Sequence, residues 1–186
     1  MLLARHTVIY GGSFNPPHIG HQMTCLYLLE ALGAKAVWLV PAHTHPFGKK
    51  LVGFDARVGM CELLAEPFGE RVQVSSIEAE PRATSRTYDT LVLLKERYPD
   101  LELALAVGSD ILSEVAEWYR WAEIEAMVPV VVLARPGYLS ERATPVSMPD
   151  VASTEIRRRL VVGESVVGLL PVSVAEYIKR RGLYGA

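Results

Sequence analysis

Two imidazoles three residues apart, His18 and His21, follow the glycine turn Gly11-Gly12-Ser13 across the short segment Phe14-Asn15-Pro16-Pro17. An apolar run that enters such a turn and leaves it as a helix offers free backbone N–H groups. Its glycines let the chain approach a phosphate closely. Residue chemistry leaves three readings for the histidine pair. Together with His43 and His45 it would form a zinc site, since four of the five histidines lie between residues 18 and 45. No His-Glu-x-x-His arrangement and no neighbouring acidic ligand supports that reading. A buried structural pair is the second. In the third, imidazoles at a helix start donate hydrogen bonds to phosphoryl oxygens, and the adjoining glycine turn favours this one. The turn alone has an equally plain reading as strand-to-helix punctuation.

The elements that must hold these residues alternate in type. Short, nearly continuous apolar runs at 7–10, 36–40, 72–75, 103–107 and 130–133 predict strands covered on both faces. Helical spacing predicts helices over 18–32, ending at Gly33, over 54–65, ending before Pro67, and over 87–98, ending before Pro99. Two more are expected at 154–162 and 172–181, separated by Gly163, Gly168 and Pro171. Strand–helix alternation predicts parallel βαβ units. The expected fold is therefore α/β, a Rossmann-like doubly wound parallel sheet in a single domain over 1–186 with C-terminal helices. Open sheets of this kind bind ligands beyond the carboxyl ends of their strands. Those ends carry Gly11-Gly12-Ser13, then Pro41-Ala42-His43-Thr44-His45-Pro46, then Gly108-Ser109-Asp110, then Ala134-Arg135-Pro136-Gly137.

Bulk properties narrow the function classes. The 186 residues are 50% hydrophobic and 22% charged, a globular balance that excludes disorder. With 19 Lys and Arg against 21 Asp and Glu, no basic field draws nucleic acid or an anionic membrane. The opening Met1-Leu2-Leu3-Ala4-Arg5 is too short for a signal-peptide core, and 127–134, interrupted by Pro129, is too short to span a bilayer. Cys25 and Cys61 lie in apolar runs, as reduced core thiols do. A cytoplasmic protein is expected, with homo-oligomerisation left open.

The run Gly-Gly-Ser-Phe-Asn-Pro-Pro-His-Ile-Gly-His over 11–21 resembles the paired-histidine signature of the nucleotidylyltransferase superfamily, in the form typical of bacterial nicotinate-nucleotide adenylyltransferases. Ser85-Arg86-Thr87-Tyr88-Asp89-Thr90-Leu91, Gly108-Ser109-Asp110 with Trp118-Tyr119, and Ala134-Arg135-Pro136-Gly137-Tyr138 are similar to further family segments. So are Ser153-Thr154-Glu155-Ile156-Arg157, the stretch 163–171 and the ending Gly182-Leu183-Tyr184. Three positions depart from the pattern. Val151-Ala152-Ser153-Thr154 lacks one hydroxyl, Arg86 stands where the family has Tyr, and 43–50 replaces a Pro-Pro-His-Lys segment.

The resemblance implies adenylyl transfer from ATP to nicotinate mononucleotide, yielding deamido-NAD and pyrophosphate. Such chemistry needs positioning and charge neutralisation rather than a nucleophile. By resemblance His18, His21, Lys49 and Arg157 form the catalytic set. ATP would be held by Gly11, Gly12, Ser13, Phe14, Gly108, Asp110 (on the ribose hydroxyls), Arg135, Ser153 and Thr154. The acceptor would meet Asn15, Arg86, Thr87, Trp118 (stacked on the pyridine) and Tyr119. Mg²⁺ would bridge the phosphates without a dedicated protein cage. Lys49 and Lys50, on a Gly-containing loop, are candidates to close over the triphosphate, with a surface role as the competing reading. Arg158 and Arg159 read as a solvated helix face. Nicotinamide mononucleotide or phosphopantetheine as acceptor, and a silent nucleotide-binding regulator, are the competing functions. Trp118-Tyr119 and the Arg-Pro-Gly segment weigh against phosphopantetheine.

Overall fold

The computed structural model describes residues 3–44 and 51–186. Six parallel strands form one sheet: β1 (His6–Gly12), β2 (Ala36–Pro41), β3 (Val72–Val74), β4 (Glu102–Gly108), β5 (Val130–Ala134) and β6 (Ala143–Ser147). Their spatial order is β3-β2-β1-β4-β5-β6, the doubly wound order that reverses between β1 and β4. The register runs Val8↔Val37 and Ile9↔Trp38 on one side of β1, and Val8↔Ala104 and Ile9↔Leu105 on the other. The alternation of the strand side chains divides the core in two. Val8, Leu39 and Ala104 pack on one face with α1 (Ile19–Leu26), α2 (Phe54–Ala65), α5 (Ser153–Val162) and α6 (Val172–Arg181). Ile9, Val40 and Leu105 pack on the other with α3 (Thr87–Arg97) and α4 (Trp121–Met127). Both faces are covered, which is why the strands read as unbroken apolar runs.

Three differences from the sequence reading have physical reasons. The helix expected over 18–32 is α-helical only to Leu26 and widens into a π-helical turn over Tyr27–Ala31. Leu28 and Leu29, adjacent in sequence, are both buried there. Strand β6 gives no apolar signal because most of it is exposed, and it carries Pro145, tolerated on an edge strand where no partner needs its N–H. Its pairing with β5 is irregular between Val132 and Ala134, and the Ala134 N–H donates to Thr144 Oγ1 at 3.0 Å. Helix α4 is seven residues long, too short for its period to show. Among the described residues, no helix is long and apolar enough to cross a membrane.

Candidate active site

The carboxyl ends of β1, β4 and β5 open at the point where strand order reverses, and α1 begins directly above them. His18 is the N-cap of α1, with extended backbone. Its N–H donates to Nδ1 of His21 at 3.0 Å, and the two rings lie 3.7 Å apart, tilted by 34°. Because Nδ1 of His21 accepts, its proton sits on Nε2. Phe14 supports the pair, its ring meeting His21 edge-on at 5.0 Å and Tyr10 at 5.8 Å. Phe14 is buried at a φ of +45°, a left-handed conformation that costs a bulky residue about 1–3 kcal/mol and persists only where neighbours over-determine it. Gly20 belongs to the same constraint, since a Cβ there would stand 3.1 Å from the His18 ring.

Both imidazoles are held neutral. Burial lowers His18 to about 4, with the positive Arg135 adding to the effect. Burial, then His18, then Arg135 push His21 well below its ordinary value. His18 is buried, and its Nδ1 has no hydrogen-bond partner among the described residues. A neutral, pre-oriented pair donates hydrogen bonds without carrying charge, and the positive charge comes from Arg135.

Arg135 is positioned from β4. Its N–H donates to Ser109 Oγ at 3.0 Å, and its Nη1 pairs with Asp110 Oδ2 at 3.0 Å. Gly108 makes this possible, because a Cβ would fall 2.2 Å from Asp110 Oδ1 and 2.8 Å from Arg135 Cδ. The other carboxylate oxygen, Oδ1, is buried without a hydrogen-bond partner among the described residues. Such an acceptor suits a ligand hydroxyl.

The turn after β1 is braced from both sides. From α5, Arg157 Nη1 donates to the Asn15 carbonyl at 2.6 Å, its Nη2 to Thr154 Oγ1 at 3.2 Å, and Ser153 Oγ to the Pro16 carbonyl at 2.8 Å. Asn15 itself points inward. Its Oδ1 accepts from the Val52 N–H at 3.2 Å and from Tyr184 Oη at 2.8 Å. From α2, Arg57 donates to the carbonyls of Ser13 (2.9 Å), Val52 (3.1 Å) and His43 (3.4 Å). The sequence reading passed over Arg57. The signal was present, for Arg57 sits at helical spacing with Met60, Cys61 and Leu64 on the buried stripe of α2.

At the far end, Arg86 caps α3 and lies exposed over the Tyr119 ring at 4.7 Å. Tyr119 meets Tyr88 edge-on at 6.0 Å, while half-buried Trp118 packs perpendicular to Trp121 at 5.4 Å. Thr87 opens α3 beside them. Arg158 and Arg159 pair with Glu155, and Arg158 also with Glu164, which keeps both on the solvated face. Lys49, Lys50 and His45 lie outside the described residues. His43 turns its ring to Phe54 at 5.0 Å, and among the described residues no group of three His, Cys, Asp or Glu forms a metal-holding cluster.

The chain matches the cytidylyltransferase-like family model over residues 9–159. It is 43% identical over 183 residues to a protein of Anaeromyxobacter sp. (strain K) named "Probable nicotinate-nucleotide adenylyltransferase", covering 97% of each chain. It is 40% identical over 182 residues to a protein of the same name from Myxococcus xanthus, covering 98% of this chain and 96% of that one. Its fold is similar, with a TM-score of 0.82 at 19% identity over 97% of this chain and 98% of the other, to Plasmodium falciparum nicotinic acid mononucleotide adenylyltransferase solved with NaAD.

Proposed function

The chain belongs to the cytidylyltransferase-like family and, within it, to the nicotinate-nucleotide adenylyltransferases, and from that premise we propose how its own residues carry out the transfer. The reaction joins the adenylyl group of ATP to nicotinate mononucleotide, a step of NAD biosynthesis. A phosphate oxygen of the mononucleotide attacks the α-phosphorus in line, the bond to the bridging oxygen breaks, and pyrophosphate leaves with the electron pair. Positioning and charge neutralisation supply the rate, and no protein nucleophile is needed.

The observation that carries the reading is the neutral His18–His21 stack, locked at the start of α1 behind the Gly11–Phe14 turn and beside the Arg135 charge. His21 donates from Nε2 and His18 from its ring to phosphoryl oxygens, and the turn adds backbone N–H groups. Arg135 and Arg157 neutralise charge that develops toward the leaving pyrophosphate. Arg157 does so while gripping the Asn15 carbonyl, which ties its guanidinium to the turn. Asp110 Oδ1 accepts from a ribose hydroxyl. Ser153 and Thr154 border the phosphates, and Asn15 acts as a brace of the turn. Lys49 is assigned to the triphosphate on the resemblance alone. At the acceptor end, Trp118 and Tyr119 hold the pyridine ring, with Arg86 and the Thr87 end of α3 near its carboxylate.

Mg²⁺ would be held chiefly by the phosphates of ATP. The nearby donor set, one carboxylate already paired to Arg135, suits an ion carried by phosphate and water oxygens rather than a protein cage. When bound, it supplies charge neutralisation to the triphosphate. We assign the chain as one nucleotidylyltransferase domain over 1–186, working in the cytoplasm on small molecules and needing neither nucleic acid nor membrane.

The test is pyrophosphate release from ATP against nicotinate mononucleotide, nicotinamide mononucleotide and phosphopantetheine. Turnover with the first is expected. Release with phosphopantetheine alone, or ATP binding without release from any acceptor, would remove the assignment.

A further inference from the structure

Arg57 is a buried cation that the proposed reaction does not use. Its side chain is 1% exposed, yet no carboxylate lies within ion-pair distance of it among the described residues. Burial pulls its guanidinium below the ordinary value and outweighs the opposing pull of more distant groups, Glu78 among them, the expected response of a charge taken out of water with no carboxylate in contact. A fold that only needed filling there could use an aliphatic side chain, as Met60 and Leu64 do one and two turns further on.

The geometry explains why a guanidinium is kept. Its planar fork reaches the carbonyls of Ser13, Val52 and His43 at once, which neither an amide nor an ammonium can do from one position. Residue His43 is fixed on the other side of its Cα too, because its N–H donates to Oε2 of buried Glu78 at 3.2 Å. The charge therefore stands one peptide behind the turn that follows β1. In a trans peptide the C=O and the next N–H point in opposite directions. Gripping the Ser13 carbonyl thus aims the Phe14 N–H away from Arg57 and helps to hold Phe14 at its positive φ.

We propose that Arg57 is a positioning residue for the phosphate-binding turn, setting the Ser13–Phe14 peptide and supplying a buried positive charge whose counter-ion is the phosphate of the ligand. The inference rests on the reading of that turn as a phosphate site. Arg57 and the phosphates then stabilise each other, so removing the guanidinium weakens phosphate binding beyond any loss of packing.

The test is calorimetric titration of inorganic pyrophosphate into the full chain, with kcat and KM for ATP measured alongside. The forms compared are the unmodified protein, Arg57→Met, Arg57→Lys and a packing control, Met60→Val. Arg57→Met is expected to weaken pyrophosphate at least about tenfold, in keeping with the cost of a misplaced binding group. Arg57→Lys keeps the charge without the fork, so it should retain most of the pyrophosphate affinity while kcat falls about tenfold. Met60→Val should lower the melting temperature and leave pyrophosphate affinity unchanged. A folded Arg57→Met with unmodified affinity would overturn the inference, as would a Met60→Val that weakens pyrophosphate equally. Should Arg57→Met fail to fold, Arg57→Lys decides, and unmodified kcat there overturns it. Failure of the unmodified protein to bind pyrophosphate would instead strike the reading of the site itself.

Discussion

The backbone N–H of His18 donates to Nδ1 of His21, and the two rings stack 3.7 Å apart at the first turn of one helix. That bond fixes the His21 tautomer and sends its remaining proton to Nε2, while burial, with the Arg135 charge, leaves both imidazoles neutral at pH 7. The pair is thereby set as hydrogen-bond donors before any substrate arrives. Preorganised donors of this kind act on charge that develops in the transition state.

His18→Ala is therefore expected to lower kcat about 10²–10³-fold while changing ATP affinity far less. Steady-state kinetics beside equilibrium ATP binding measure the two effects separately. Equal losses in binding and turnover would make His18 a ground-state contact only.

The same histidine makes stability depend on pH. An unfolded His18 titrates near its ordinary value of 6.5, and the folded one only at about 4. Folding thus favours the neutral form. The stabilisation is fully present above pH 6.5 and is lost as pH falls from 6.5 toward 4. At about 1.4 kcal/mol per pH unit for one group, the full effect is roughly 3 kcal/mol. Denaturant melts between pH 7 and 4 should show at least this slope, and His18→Gln should reduce it, leaving the part that buried His21 contributes. An unchanged slope in the variant would assign the loss to other groups.

Arg157→Lys is expected to cut kcat/KM about tenfold or more, because an ammonium cannot hold the Asn15 carbonyl and Thr154 Oγ1 together while also facing a phosphate. Kinetics at saturating acceptor test this. Full activity in the variant would return Arg157 to the surface charges, with Arg158 and Arg159.

Much of this was legible in the sequence, for identifiable reasons. Helices 54–65 and 172–181 have the bounds that the spacing predicts, since Pro67 and Gly182 close them chemically. The turn and histidine pair stand out because glycine, proline and histidine are rarely arranged so by packing needs alone. What stayed hidden is long-range or unpatterned. Strand β6 is exposed and carries Pro145, so no alternation marks it. The Arg57 fork joins carbonyls 44, 14 and 5 residues away, and backbone acceptors have no signature in side-chain identity. The inward turn of Asn15 is set by Val52 and Tyr184, one of them at the far end of the chain.

The exposure of Arg86 predicts a smaller role than its sequence position suggests. A buried partner for the pyridine carboxylate would give one to two decades of preference over the amide. Arg86 is exposed and lies over Tyr119, where an ion pair is worth about 0.2–1 kcal/mol. Arg86→Ala is therefore expected to shrink the nicotinate preference by no more than about fivefold, with activity on the amide spared. Ratios of kcat/KM for the two mononucleotides check this. A collapse of the whole preference would make Arg86 the main reader, and an unmoved ratio would leave that task to backbone N–H groups near Thr87 and Tyr119.

The most direct test is a competition. Nicotinate and nicotinamide mononucleotides at equal concentration share one vessel with ATP, Mg²⁺ and the unmodified protein, and the dinucleotide products are resolved by mass with pyrophosphate counted beside them. Deamido-NAD is expected in excess over NAD, with one pyrophosphate released per dinucleotide formed, as the nicotinate assignment requires. NAD in excess, or pyrophosphate released without either dinucleotide, would contradict it.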